Sequence, residues 1–247
     1  MANFRPWKRY FWLLIDELVA EHKLIPPLID IGCGIGETVG HFTRKGWQST
    51  GLELSPDAAA TAHVTVSGLA NASIVTKPLT MLPEGAYNTA ILMDVLEHVS
   101  DDVGMLREIS KVLSQGGHLL ITVPSNPKNE WGWDDDFYGH LRRYTPESLV
   151  AALKDGGFSV IKIWDASFPV FWALRRGFLF LKKPKESADT THEKTLASSG
   201  KNAWDMGIIS FVLNQAWYWW PVFQIMRLFR GRPDRGNELM VLAKKAA

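Results

Sequence analysis

The sequence predicts an α/β domain of seven mainly parallel strands with helices on both faces and a helical insertion before the last strand. Three observations carry that expectation. Short β-rich runs alternate with helix-length segments, the pattern of βαβ units. The first run opens into Gly32-Cys33-Gly34-Ile35-Gly36 and then into a helical segment, as a ligand-cradling strand–loop–helix does. A long apolar stretch, 166–235, breaks the alternation just before the final strand.

The elements follow in order. Trp7 to about Lys23 has helical apolar spacing, and Pro26-Pro27 ends it. Leu28–Ile31 is the first strand, with a helix from about Gly36 to Lys45 behind the glycine turn. A second strand covers about Gln48 to Glu53, and Ser55-Pro56-Asp57 starts a helix with proline at its first position. Ser73–Thr76 and Tyr87–Asp94 are the third and fourth strands. Asp101 and Asp102 open a helix that Gln115-Gly116-Gly117 closes, before a fifth strand at His118–Val123. Thr145-Pro146-Glu147 starts a helix stopped by Gly156-Gly157, Phe158–Trp164 is the sixth strand, and Glu238–Ala243 the last.

Composition sets the limits. At 247 residues, 46% hydrophobic and 21% charged, the chain suits one large folded domain with an elaboration. The expected division is 1–165 plus 236–247 as the ligand-binding domain with its N-terminal helix, and 166–235 as an apolar helical insertion or cap. A net charge of +1 gives no field for nucleic acid, and no basic, aromatic-interleaved stripe accompanies the strands. Cys33 is the single cysteine, so no internal disulfide forms. The basic, apolar start resembles a signal peptide, but Asp16 and Glu17 interrupt it and no small-residue cleavage site follows; a cytoplasmic protein is expected.

Chemistry concentrates around the glycine turn. Glycine permits both the sharp turn and a close backbone approach to a ligand. The spacing is G-x-G-x-G, not the G-x-G-x-x-G of dinucleotide binders, which disfavours a nicotinamide oxidoreductase. Asp30 lies inside a strand that should be buried, where a carboxylate needs a partner. Glu53, at the end of the second strand, stands where an acid meets ribose hydroxyls, and its two oxygens suit a bidentate grip.

These residues carry a resemblance. Leu28–Glu37 resembles the first signature motif of the class I S-adenosylmethionine-dependent methyltransferases, and Gly51-Leu52-Glu53-Leu54-Ser55 the second. Ile91-Leu92-Met93-Asp94-Val95-Leu96-Glu97-His98-Val99 is similar to the fourth-strand signature of the ubiquinone-type branch. Leu106-Arg107-Glu108-Ile109 through Gly116-Gly117-His118-Leu119-Leu120-Ile121 matches the helix and strand that follow. The likeness covers about residues 28–125, and extends more weakly to Gly139-His140-Leu141-Arg142-Arg143-Tyr144-Thr145 and the last strand. It implies a Rossmann-like fold and S-adenosyl-L-methionine as cofactor, held by Asp30, Gly32, Gly34, Gly36, Glu53, Leu54, Met93, Asp94 and Val95. One departure is Thr76-Lys77-Pro78-Leu79, where such proteins often place an acid near the adenine amino group.

Methyl transfer needs alignment of donor and acceptor and, for an oxygen acceptor, removal of a proton. His98 is the first candidate for that base, the alternative being a histidine that orders its loop. His140 and Arg143 could stand over the acceptor, with Arg143 pairing an anionic group or, alternatively, the run Asp134-Asp135-Asp136. That run itself reads as a solvated acidic loop. No metal is expected, although Asp94, Glu97 and His98 match a spacing at which some quinone-precursor O-methyltransferases hold a divalent cation.

In the insertion, Met206–Met226 lacks any charge and is long enough to span a bilayer, but Asn214, Gln215, Pro221 and Gln224 argue against a simple span. Basic residues flank its apolar runs, from Arg175 and Lys182 to Arg227 and Arg235, as suits an anionic membrane surface. A cap packed against the sheet is the competing expectation. The sequence thus points to an enzyme that methylates a small, sugar or lipid-linked acceptor, cytoplasmic or peripheral at the inner face of a membrane. A non-catalytic cofactor-binding or membrane-docking protein on the same fold is the alternative, and the oligomeric state is left open.

Overall fold

The structure is a computed structural model that describes residues 6–125, 131–181 and 219–246. Strands β1 (Leu28–Ile31), β2 (Ser49–Leu52), β3 (Ala72–Val75), β4 (Tyr87–Met93), β5 (Leu113–Pro124), β6 (Phe158–Asp165) and β7 (Glu238–Lys245) form one sheet. Their order is β3-β2-β1-β4-β5-β7-β6. The first five pair in parallel, and β7 runs antiparallel between β5 and β6.

The central strands are apolar because both faces are covered. All four residues of β1 are buried, and so are Ala90, Ile91 and Leu92 of β4. On one face α4 (Asp102–Val112) and α6 (Pro146–Asp155) bring Leu106, Ile109, Leu149 and Leu153 onto Leu92, Leu119 and Ile121. On the other, α1 (Pro6–Glu21) sets Tyr10, Leu14, Ile15 and Leu18 against Leu28, Ile91, Leu120 and Leu242. Those positions recur at helical spacing, and each fully buried side chain contributes roughly 1.5–3 kcal/mol. Helices α2 (Glu37–Arg44) and α3 (Pro56–Thr65) close a smaller cluster around Cys33 and Val39.

Local chemistry sets the helix starts as expected. Pro56 opens α3, the Asp101 carboxylate accepts from Gly104 N at 2.8 Å, and Thr145 Oγ1 accepts from Ser148 N at 3.2 Å. One short helix, α5 (Trp133–Tyr138), went unexpected.

The insertion leaves and returns at one point. Beyond β6, α7 (Val170–Leu181) and α8 (Trp219–Phe229) turn apolar faces onto α1, with Tyr10 against both Phe171 and Phe223. Their other faces expose Phe180, Leu181, Trp220 and Leu228. Buried Asp165 accepts from Ser167 N and Phe168 N, each at 2.8 Å, and from Gly236 N; Ser167 Oγ accepts from Asn237 N at 2.8 Å. The two ends of the excursion are thereby fastened together. Among the described residues no helix is long and apolar enough to cross a membrane. Most of the uncharged run Met206–Met226, and Lys182, Lys183 and Lys185, lie outside the described residues.

Candidate active site

The chain order reverses between β1 and β4, and a cavity opens at the carboxyl ends of those strands. Its lining comes from β1 and the glycine turn (Asp30, Gly32, Cys33, Gly34, Ile35), from the end of β4 (Met93, Asp94), from Thr38 of α2, and from Trp7, Lys8 and Phe11 of α1. The three turn glycines have φ of 69°, 53° and 77°, a left-handed backbone that side chains rarely adopt. Gly32 is constrained twice, because a Cβ there would stand 2.5 Å from Val95 Cγ2.

Asp30 is 2% exposed, and among the described residues no hydrogen-bond donor meets its carboxyl. Burial, against the pull of Lys8 and with the push of Glu53, lifts its pKa to about 7. Lys8 reaches the same cavity while bridging Glu37 at 2.7 Å. A buried carboxyl without a donor, with an ammonium across the chamber, fits the zwitterionic end of an amino acid such as the methionine part of S-adenosylmethionine. The residues present therefore fit the expected cofactor.

Of the residues expected to hold it, Asp30, Gly32, Gly34, Met93 and Asp94 meet at the cavity. Gly36, Glu53, Leu54 and Val95 stand outside the lining. Val95 packs on Gly32 and Gly36 on Ala62, while Leu54 faces outward. Glu53 turns back on the loop: Oε2 accepts from Gly34 N at 2.9 Å and Oε1 from Ser55 N at 2.8 Å. Both its oxygens are already engaged, so its visible work is to hold the glycine turn. Lys8, Trp7 and Phe11 were missed; the helical spacing of α1 was legible, but not which of its faces closes the chamber.

Beyond Asp94 a second cluster is buried. Asp94 itself has φ 55°, and its Oδ1 accepts from Thr122 Oγ1 at 2.8 Å. Glu97 is fully buried and, among the described residues, neither of its oxygens takes a hydrogen bond from another residue. Burial first, then Asp94, pushes its pKa well above the carboxylate range; burial and Asp94 do the same to Glu238. His98 Nε2 and His140 Nε2 stand 3.7 and 3.8 Å from Glu97 Oε1. His98 Nδ1 lies 3.2 Å from Gly139 O, and His140 Nδ1 lies 2.7 Å from Asp135 Oδ1. Both partners only accept, so both Nδ1 atoms carry hydrogen. Both Nε2 atoms therefore lie on the Glu97 side of the cluster. Glu97, His98 and His140, with ligand atoms within 4.8 Å of one another, could hold a divalent cation.

Two expectations change here, and one open alternative closes. Burial, reinforced by His140, lowers the pKa of His98 to about 4, which makes it a weak base at neutral pH. Of the two readings of Arg143, the structure shows pairing with the acidic run: Nε donates to Asp135 Oδ1 at 2.7 Å and Nη1 to Ser125 O at 3.0 Å, with the guanidinium buried. Asp135, expected in a solvated loop, is fully buried. Its Oδ2 accepts from Gly132 N at 2.7 Å and from Arg175 Nη2 of α7 at 3.3 Å, while Arg175 grips Asp134 at 2.6 and 2.7 Å. Burial opposes its charge, but His140 and Arg143 hold it below the usual carboxylate range.

Comparisons with known proteins place the chain in a family. Curated relatives include the ubiquinone biosynthesis O-methyltransferase of Sodalis glossinidius, 32% identical over 106 residues, which are 41% of this chain and 43% of that one. Across the relatives of that name the chain spans 42–63% of their length. Among solved structures, a putative sarcosine dimethylglycine methyltransferase from Galdieria sulphuraria has a TM-score of 0.62 at 15% identity, over 97% of this chain and 86% of that one. The [4+2]-cyclase SpnF has 0.60 at 22%, over 95% and 81%. At such identities these two show the fold. The methyltransferase domain family matches residues 4–163, well over half of the sequence, and this chain belongs to that family of S-adenosylmethionine-dependent methyltransferases.

Proposed function

We propose that the protein methylates an oxygen of a small or lipid-linked acceptor, and that His140 receives the acceptor's proton. One observation carries the reading: the buried Asp30 carboxyl without a donor, facing Lys8 across a cavity that ends at Asp94, beside the Glu97–His98–His140 cluster. The name of the curated relatives supports oxygen as the methylated atom. S-adenosylmethionine, when bound, supplies a methyl group already activated by a sulfonium. Asp30 would hold its ammonium and Lys8 its carboxylate, while Gly32 and Gly34 let the backbone come close and Met93 and Asp94 border the adenosine side. An acceptor hydroxyl placed beside the cluster would give its proton to His140 Nε2 as the methyl group is transferred to its oxygen.

The acceptor class is open to a direct measurement. Purified protein with methyl-labelled S-adenosylmethionine and host-cell extract should give a labelled product, to be partitioned between organic and aqueous phases. Label in the organic phase would support a lipid or quinone-like acceptor, met by the exposed apolar faces of α7 and α8 and an adjoining membrane surface. Aqueous label would support a sugar or other small metabolite, with 166–235 as a cap alone. Cofactor binding without any transfer would favour the non-catalytic alternative.

A further inference from the structure

Asp135 sits where three parts of the molecule meet. Its Oδ1 accepts from both His140 Nδ1 and Arg143 Nε, each at 2.7 Å, and its Oδ2 accepts from Gly132 N and Arg175 Nη2. His140 belongs to the loop before α6, Gly132 immediately precedes α5, and Arg175 comes from α7 of the insertion. The carboxylate is fully buried and satisfied on both oxygens, so its geometry is fixed from all sides. An imidazole has one proton to place when neutral. Putting its lone pair on Nδ1 would set it 2.7 Å from an acceptor with no hydrogen between them.

We propose that Asp135 is a positioning residue: it keeps His140 in the tautomer with hydrogen on Nδ1, leaving the Nε2 lone pair on the side of Glu97 and His98, and it ties that setting to α7 through Arg175. The logic is that of any carboxylate hydrogen-bonded behind a histidine, which fixes the ring and its tautomer. Here the carboxylate also belongs to an acidic run clamped by Arg175, whose helix continues to the exposed Phe180 and Leu181. Displacing α7 would therefore loosen the group that orders the base. The inference rests on the proposed methyl transfer, but its primary readout does not.

That readout is histidine 15N–1H long-range NMR of the full chain, with the His140 signals assigned by their loss in His140→Gln. His140 should carry hydrogen on Nδ1 and a lone pair on Nε2. Asp135→Asn should shift it to the other tautomer or a mixture, whereas Asp134→Asn, which releases Arg175 from its main grip, should leave it in place. With labelled S-adenosylmethionine and extract, Asp135→Asn should lower kcat on the order of 100-fold with cofactor affinity unchanged. Combined with His140→Gln it should slow transfer no further than His140→Gln alone. Hydrogen on Nε2 in the unsubstituted protein, or an Asp135→Asn variant that keeps both tautomer and rate, overturns the proposal. Should Asp135→Asn fail to fold, the unsubstituted spectrum still decides. Absence of transfer by the unsubstituted protein would sink the methyl-transfer reading and leave the tautomer to stand on the spectrum.

Discussion

Two buried aspartates of the candidate site, Asp30 and Asp135, stand under opposite conditions. Asp30 meets no donor among the described residues, and burial raises its pKa to about 7. Asp135 accepts four hydrogen bonds and is held below the ordinary range. The contrast separates two kinds of work. A carboxylate kept without a partner is free to answer a cation that arrives with a ligand. One whose lone pairs are already engaged can only fix its neighbours. Under the proposed function, Asp30 would be completed by a ligand, whereas the bonds of Asp135 are made within the fold.

The largest test of that contrast is Asp135→Ala. It takes the buried Arg143 guanidinium's carboxylate partner away while Arg175 keeps Asp134, and should lower unfolding free energy by roughly 5 kcal/mol in denaturant titration. A loss under 1 kcal/mol would show that the network is not holding the acceptor corner.

Asp30 should behave in the reverse sense. Its folded pKa lies above the unfolded value, so the folded state binds the extra proton between about pH 4 and 7. That contribution is fully present below about pH 4 and is lost as pH rises through about 7, on the order of 4 kcal/mol for the ligand-free protein. Asp30→Asn should remove this slope while weakening S-adenosylmethionine binding roughly 10- to 100-fold by calorimetry. An unchanged affinity would break the assignment of Asp30 to the ammonium.

Gly32→Ala combines a left-handed φ with a Cβ 2.5 Å from Val95 Cγ2. A loss of about 2 kcal/mol in stability and of cofactor binding is expected. The smallest change is Lys8→Met. Its partly exposed pair with Glu37 is worth under about 1 kcal/mol, so Tm should barely move while cofactor affinity falls. An unaltered affinity would reassign the cofactor carboxylate to another donor.

Much of this was legible in the sequence, and the rest has identifiable causes. The glycine turn, the acid before it and the strand–helix alternation are local signals, set by backbone sterics and by spacing within a few residues. Asp135 was not legible because its burial depends on Arg175, forty positions downstream and on another element. His98 and His140 differ little as residue types; what separates them is that one Nδ1 faces a backbone carbonyl and the other a carboxylate. Glu53 was recognised as important from its position, yet one of its bonds holds the glycine turn at Gly34 and the other holds Ser55 at the start of α3. The apolar character of 166–235 was plain, whereas its contact with α1 rests on tertiary pairings such as Tyr10 with Phe223.

The fastening of Asp165 and Ser167 to Gly236 and Asn237 has a practical corollary for chimera design. The described parts of the excursion leave and re-enter the sheet at those two pairs, so a graft must keep Asp165, Ser167, Gly236 and Asn237 to hold β7 between β5 and β6. It must also keep Arg175 on the acidic run and Phe171 and Phe223 on Tyr10, because α1, which walls the cavity, leans on the same excursion.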